Sequence, residues 1–315
     1  MVGDSVAILR LRFPVHSLDH RQLLPAGTLL TRETLDELSR PVKGKSFPVM
    51  PLLEYGTVRR DLQGFLRQGA FRRIFEDPRK NGVIQSLMEK VALAQPVLET
   101  LRYFQRADPY TYRHVLRVFA LSILLARDLE SNFEDQILEA TAGPLHDFGK
   151  ICVPLRILKK TTPLQRSERA ILEHHTVAGF ALISYYLKDF KCIAAKVAAE
   201  HHERKDGSGY PLGILLRDRL VEIVVACDVY DALISPRPYR RVSYDNRTAL
   251  EEITEMANQG KIDWNIVKAL VAHNRKGKPP ANECAVSIEK RGTPPEGNLY
   301  GVLIDDAPPP DRSAE

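Results

Sequence analysis

Between residues 84 and 275 the apolar side chains recur at intervals of three and four, with scarcely a strand-like alternation among them. A chain patterned this way buries its apolar faces by packing helix on helix. The spacing predicts helices over residues 85–106, 109–129, 134–148, 166–187, 190–203, 220–234, 246–258 and 263–274. Pro96 is expected to kink or divide the first. Asp108 caps the second, with Pro109 at the first helical position, where its missing N–H costs nothing. Gly143-Pro144 weakens the third. The most apolar run, residues 115–126, is interrupted by Arg117 and Ser122 and is too short to span a bilayer. Residues 86–275 therefore read as a mainly α, all-helical domain.

The flanks differ. Residues 9–13 alternate apolar and basic side chains as a half-buried strand does, and residues 25–27 form a turn. Thr31 caps a helix running to Leu38, with Glu33 well placed against its dipole. Residues 40–56 read as loop. A further helix from Val58 ends before Asp77-Pro78, because the residue before proline avoids the helical region. Residues 1–85 thus form a small α+β module, placed to regulate or to dock signalling partners. Residues 276–315 hold three proline clusters and one apolar run at 300–304. They are expected to be extended or disordered, with one strand returning to the N-terminal module.

The formal net charge of +5 suits a polyanionic ligand. No dense Lys/Arg tract with interleaved aromatics is present, so a nucleic-acid polymer is not expected. The four cysteines, Cys152, Cys192, Cys227 and Cys284, are too scattered for a metal clip and read as thiols in a reducing compartment. With no leader pattern at the start, the expectation is a cytoplasmic protein.

Six of the nine histidines fall between residues 114 and 202. His114 shares a helix face with Val118, Leu121 and Leu125, and alone it would read as a hydrogen-bonded core residue. His146-Asp147 follows Leu145 at a helix end that Gly149 can terminate; a buried aspartate there is costly without a compensating cation, and a hydrogen-bonded His–Asp pair, the other explanation, would not need the other histidines. Of His174-His175, the second is favoured as a ligand, leaving His174 as a supporting or exposed group. His201-His202 closes an apolar helix. Adjacent helical residues diverge by about 100°, so both reach one cluster most easily near such an end. Asp228 lies in a strongly apolar helix, where a buried cap or an ion pair would also explain it. The combination of histidine and carboxylate suits first-row divalent metals.

The order of His114, then His146-Asp147 within HDFGK, then His175, resembles the HD phosphohydrolase superfamily. The segment HHERKDGSGYPLG at residues 201–213 and the segment ACDVYDALISPRPYR at residues 226–240 are similar to signatures of its HD-GYP branch. The resemblance covers roughly residues 85–275. It implies an all-α domain with iron or manganese that hydrolyses cyclic di-GMP, a metal-bridging hydroxide attacking the phosphodiester. Carried over by position, His114, His146, Asp147 and Asp228 would hold one metal. Asp147, His175, His201 and His202 would hold the second, with Asp147 as the bridge.

The family's third metal uses a glutamate four residues before the first histidine. Tyr110 stands there, so two divalent transition-metal ions are expected. The family's Pro-Gly-Lys turn is replaced by Lys159-Lys160-Thr161-Thr162-Pro163, and a family aromatic by Lys205. Lys150 is expected to stabilise charge on the phosphoryl oxygens. Arg237 and Arg240 offer forks for phosphate or guanine edges, and Tyr210 is held rigidly to contact substrate. The competing reading is a cyclic-dinucleotide sensor with a weak or inactive metal site.

Overall fold

The computed structural model describes residues 9–40, 47–130, 132, 141–237, 240, 242–296 and 303–304. Among these, strands are confined to four two-stranded pairs and the rest of the framework is helical. Strand β1 (Leu9–Arg10) pairs antiparallel with β4 (Leu29–Leu30), and β2 (Val15–His16) with β3 (Gln22–Leu24). Thr31 then starts α1 (Arg32–Ser39), its side chain accepting from the Thr34 amide.

The expected loop at 40–56 instead contains β5 (Val49–Pro51), and its partner β6 (Ala92–Ala94) lies inside the stretch expected to be helical with a kink or division at Pro96. Residues 78–107 are therefore α4 (Pro78–Met88), β6 and α5 (Gln95–Ala107). Pro96 sits in the first turn of α5, where proline starts a helix rather than bending one. The helix expected from Val58 to Glu76 splits into α2 (Val58–Leu66) and α3 (Gly69–Ile74), because Gly69 has a φ of 53°.

Helix α6 (Pro109–Leu129) is the central element, packed by α2, α4, α5 and two later helices. Its residues from Val118 to Ala126 are all within 1% of complete burial, which explains why its sequence is apolar on every face. Each buried Leu, Ile or Val there contributes about 2 kcal/mol relative to exposure. One apolar cluster runs from Leu11 to Cys284. The N-terminal strands also reach the helical part by hydrogen bonds. The Leu18 amide donates to Tyr186 Oη at 2.7 Å, and Arg21 Nη2 donates to Tyr185 Oη at 3.0 Å.

Of the helix expected over 134–148, residues 134–140 lie outside the described residues. Residues Gly143–Leu145 and Phe148–Cys152 are 3-10 turns. After α7 (Leu155–Leu158) and β7 (Leu164–Gln165), the helix expected over 166–187 divides at His174 into α8 (Arg166–Glu173) and α9 (His175–Leu187). His174 packs edge-on against Phe13 at 5.4 Å, turned towards the N-terminal segment, and burial pushes its pKa down to about 4. Helices α10 (Ile193–Glu200), α11 (Arg219–Ile234), α12 (Asn246–Asn258) and α13 (Trp264–Asn274) follow the expected spacing closely. In the tail, β8 (Leu303–Ile304) pairs parallel with β7 rather than with the N-terminal strands, which are already paired with each other. No described helix is long and apolar enough to cross a membrane.

Candidate metal centre

Five separate pieces of backbone bring their polar side chains to one point in the bundle. Helix α6 carries His114 one turn inside its capped start, where Asp108 accepts from the Thr111 hydroxyl at 2.6 Å. The turn between the two 3-10 segments carries His146 and Asp147. Helix α9 opens with His175, α10 ends at Glu200 with His201 and His202 just beyond, and α11 carries Asp228. All these side chains are buried except that of His202, which is half-buried.

Ligand atoms of His114, His146 and Asp228 lie within 4.8 Å of one another, and so do those of His175, His201 and His202. Asp147 stands between the two groups. Its Oδ2 is 3.5 Å from His114 Nε2 and 3.4 Å from His146 Nε2, whereas Oδ1 is 3.5 Å from His175 Nε2 and 3.8 Å from His201 Nε2. Every residue expected to hold a metal is thus within these two groups or bridges them.

The imidazoles are oriented by what their other nitrogens do. His146 Nδ1 donates to the Gly143 carbonyl at 2.7 Å, His175 Nδ1 to Leu172 at 2.6 Å, and His201 Nδ1 to Val197 at 3.0 Å. His114 Nδ1 donates to Asp231 Oδ2 at 2.7 Å. With Nδ1 occupied, each ring aims Nε2 inward, the arrangement that metal-ligating histidines adopt. Two Nε2 pairs face each other, His114 with His146 at 3.3 Å and His175 with His201 at 3.2 Å. Facing lone pairs repel unless a proton or a cation lies between them, and the nitrogen and carboxylate donor set suits a divalent transition metal. The residues fit such a group.

Electrostatics divide the site. Burial pushes the pKa of His175 down to about 4 and that of His201 to about 3, and holds His202 well below its ordinary value. These rings are neutral and ready to donate a lone pair. Burial acts the same way on His114, but hydrogen bonds and charge from Asp228 and Asp231 outweigh it and raise the ring to about 9. Burial alone would raise Asp147, yet the Lys150 ammonium and the His146 and His114 rings hold it well below the usual carboxylate range. Lys150 Nζ lies 2.5 Å from Asp147 Oδ2.

A cavity of about 240 Å³ opens beside the cluster, lined by Lys150, Lys160, Tyr210, Arg237 and Arg240 among others. Tyr210 stacks on the His202 ring at 4.5 Å and 16°. Its loop closes tightly, since a Cβ on Gly209 would meet the His202 carbonyl and Glu203 Cα. Arg237 holds its guanidinium 4.9 Å over the Tyr110 ring, which stacks at 11° on His114. The position of the family's third-metal glutamate is thus filled by an aromatic ring beneath a cation. Arg240 is buried and sends Nη2 to the carbonyls of Ala232, Leu233 and Ser235, closing the C-terminus of α11. Residues 238–239 lie outside the described residues.

Two residues escaped the sequence reading. Asp231, fully buried, supports His114 and receives Ser235 Oγ at 3.0 Å. Its position three residues past Asp228, on the same helix face, was the available signal. Glu203 is also fully buried and accepts from the Leu212 amide at 2.7 Å, tying both ends of the Tyr210 loop. Nothing in its local sequence distinguishes it from a surface glutamate.

The sequence profile of the HD domain family matches residues 100–266. A cyclic di-GMP phosphodiesterase of Pseudomonas aeruginosa is 36% identical over 179 residues, 55% of this chain and 42% of that protein. A cyclic di-GMP phosphodiesterase of Thermotoga maritima is 40% identical over 148 residues, 46% of this chain and 40% of that protein. A 3'3'-cGAMP-specific phosphodiesterase of Vibrio cholerae is 38% identical over 135 residues, 42% of this chain and 29% of that protein. The chain therefore spans less than half the length of these relatives. The chain belongs to the HD domain family.

Proposed function

We propose that residues 86–275 hydrolyse cyclic di-GMP at a pair of divalent iron or manganese ions. The observation that carries this reading is the bridging position of Asp147, whose two oxygens face separate histidine groups. His114, His146, Asp228 and Asp147 Oδ2 would hold one ion, and His175, His201, His202 and Asp147 Oδ1 the other. Such a pair supplies charge that lowers the pKa of water and screens the phosphate oxygens.

The chain's own groups do the rest. Hydrolysis adds water across one phosphodiester bond, its oxygen going to phosphorus and a proton to the leaving ribose oxygen. Lys150, at the cavity wall, stabilises charge on the phosphoryl oxygens. Arg237 offers its fork to phosphate or base. Tyr210 touches substrate and, by stacking on His202, fixes that ring. Arg240, spent on backbone carbonyls, shapes the loop that presents Arg237 and lines the cavity. Residues 1–85 act as the regulatory or docking part, and four cysteines outside any disulfide suit a reducing cytoplasmic setting.

The test joins elemental analysis to product identification on one preparation. About two ions per chain and conversion of cyclic di-GMP to linear dinucleotide or GMP are expected. A fully loaded protein that binds cyclic di-GMP without cleaving it would make the chain a sensor instead.

A further inference from the structure

We infer that Glu173, held by Arg169, is the base-reading edge of the cavity and selects guanine. The inference rests on the phosphodiesterase reading above and adds what that reading leaves open, the choice between purines. Arg169, Leu172 and Glu173 share one face of α8 at offsets of three and four, and all three line the cavity. Arg169 Nε donates to Glu173 Oε1 at 2.6 Å, which fixes the carboxylate in one orientation. Among the described residues no donor reaches Oε2. The wall on this side carries Leu158, Pro163, Leu164 and Leu172, with Lys160 and Thr162 between Leu158 and Pro163.

A cavity wall rich in leucine and proline with one oriented carboxylate at its edge matches a planar base that offers hydrogen-bond donors side by side. Guanine does so through N1–H and the N2 amino group, and a carboxylate is acceptor-only. Adenine presents an acceptor at N1, so the same carboxylate would face a lone pair and leave it unpaired. A site built this way discriminates, because the wrong base covers the half-buried carboxylate without satisfying it. Glu173 lies two residues before His175, so this wall adjoins the metal cluster.

The test compares manganese-loaded wild type with Glu173→Gln and Arg169→Met on cyclic di-GMP, 3'3'-cGAMP, cyclic di-AMP and bis(p-nitrophenyl) phosphate, a diester without a base. For Glu173→Gln, KM for cyclic di-GMP should rise roughly tenfold, while kcat changes far less. The ratio of kcat/KM for cyclic di-GMP over the base-free diester should fall by a similar factor. Because glutamine offers one donor and one acceptor, as the adenine edge requires, relative preference should shift towards the adenine-containing dinucleotides. Arg169→Met should weaken guanine preference in the same direction. Equal effects on cyclic di-GMP and cyclic di-AMP, or an unchanged KM, would overturn the assignment. If wild type cleaves neither dinucleotide nor the base-free diester, the phosphodiesterase reading fails by itself. Equilibrium dialysis of the same dinucleotides then decides the base reading, and equal cyclic di-GMP affinity in wild type and Glu173→Gln sinks it.

Discussion

His114 Nδ1 lies 2.7 Å from Oδ2 of Asp231, and this fully buried pair carries the ring's other nitrogen to within 3.1 Å of Asp228. The partner carboxylate is itself anchored by Ser235, which in turn receives Arg117 Nη1 at 3.0 Å. A chain of hydrogen bonds thus runs from the bundle interior to one imidazole. Its consequence is a ring that cannot turn away from the cluster.

Replacing Asp231 by Asn keeps the shape and removes the charge behind His114. Manganese affinity, followed by calorimetry, should fall about 10- to 100-fold, with far-UV circular dichroism unchanged. An affinity equal to that of wild type would deprive Asp231 of its supporting role.

Asp147→Ala removes both bridging oxygens at once. The variant should lose both ions together, not one, and show no hydrolysis of cyclic di-GMP while remaining folded. Wild-type-like turnover would refute the bridge. In the unmodified protein, elemental analysis yielding three ions per chain would overturn the argument from Tyr110.

Arg237→Ala leaves the ligand groups untouched. It should raise the Michaelis constant for cyclic di-GMP more than it lowers turnover, as loss of a binding contact does. Steady-state kinetics showing an unaltered constant would exclude Arg237 from substrate recognition.

Gly149 sits where the 3-10 turn after Asp147 presses on α9. A Cβ there would collide with the His175 carbonyl and lie 2.5 Å from the Gly179 nitrogen. Because both contacts are backbone, Gly149→Ala should cost on the order of 3 kcal/mol in urea unfolding. A midpoint equal to wild type would show that the two segments separate easily.

Far from the cluster, Asp128 accepts from His273 Nε2 at 2.7 Å. Burial raises the carboxyl, but hydrogen bonds from His273 and Arg127 outweigh this and bring its pKa down to about 2. A carboxyl depressed in the folded state contributes stability above its unfolded pKa near 4 and loses it as the pH falls towards 2. The advantage of wild type over Asp128→Asn should therefore be full at pH 6 and shrink between about pH 4 and pH 2. An advantage constant across that window would contradict the linkage.

The sequence by itself determined the helical class, because apolar spacing is a local property that survives whatever the helices pack against. Helix α12 occupies the expected span, and the cap at Asp108 with Pro109 behind it begins α6 as read. The histidines and aspartates were legible as a set because so many imidazoles and carboxylates on apolar faces need a shared reason.

Only the tertiary structure decided where these pieces turn and meet. The pairing of residues 49–51 with 92–94, the break at His174 and the attachment of residues 303–304 beside α8 depend on partners distant in the chain. So did the orientation of each ring. Which nitrogen faces the centre is set by a carbonyl or carboxylate reached across a turn or a neighbouring helix, and no residue's own neighbours along the sequence specify that contact.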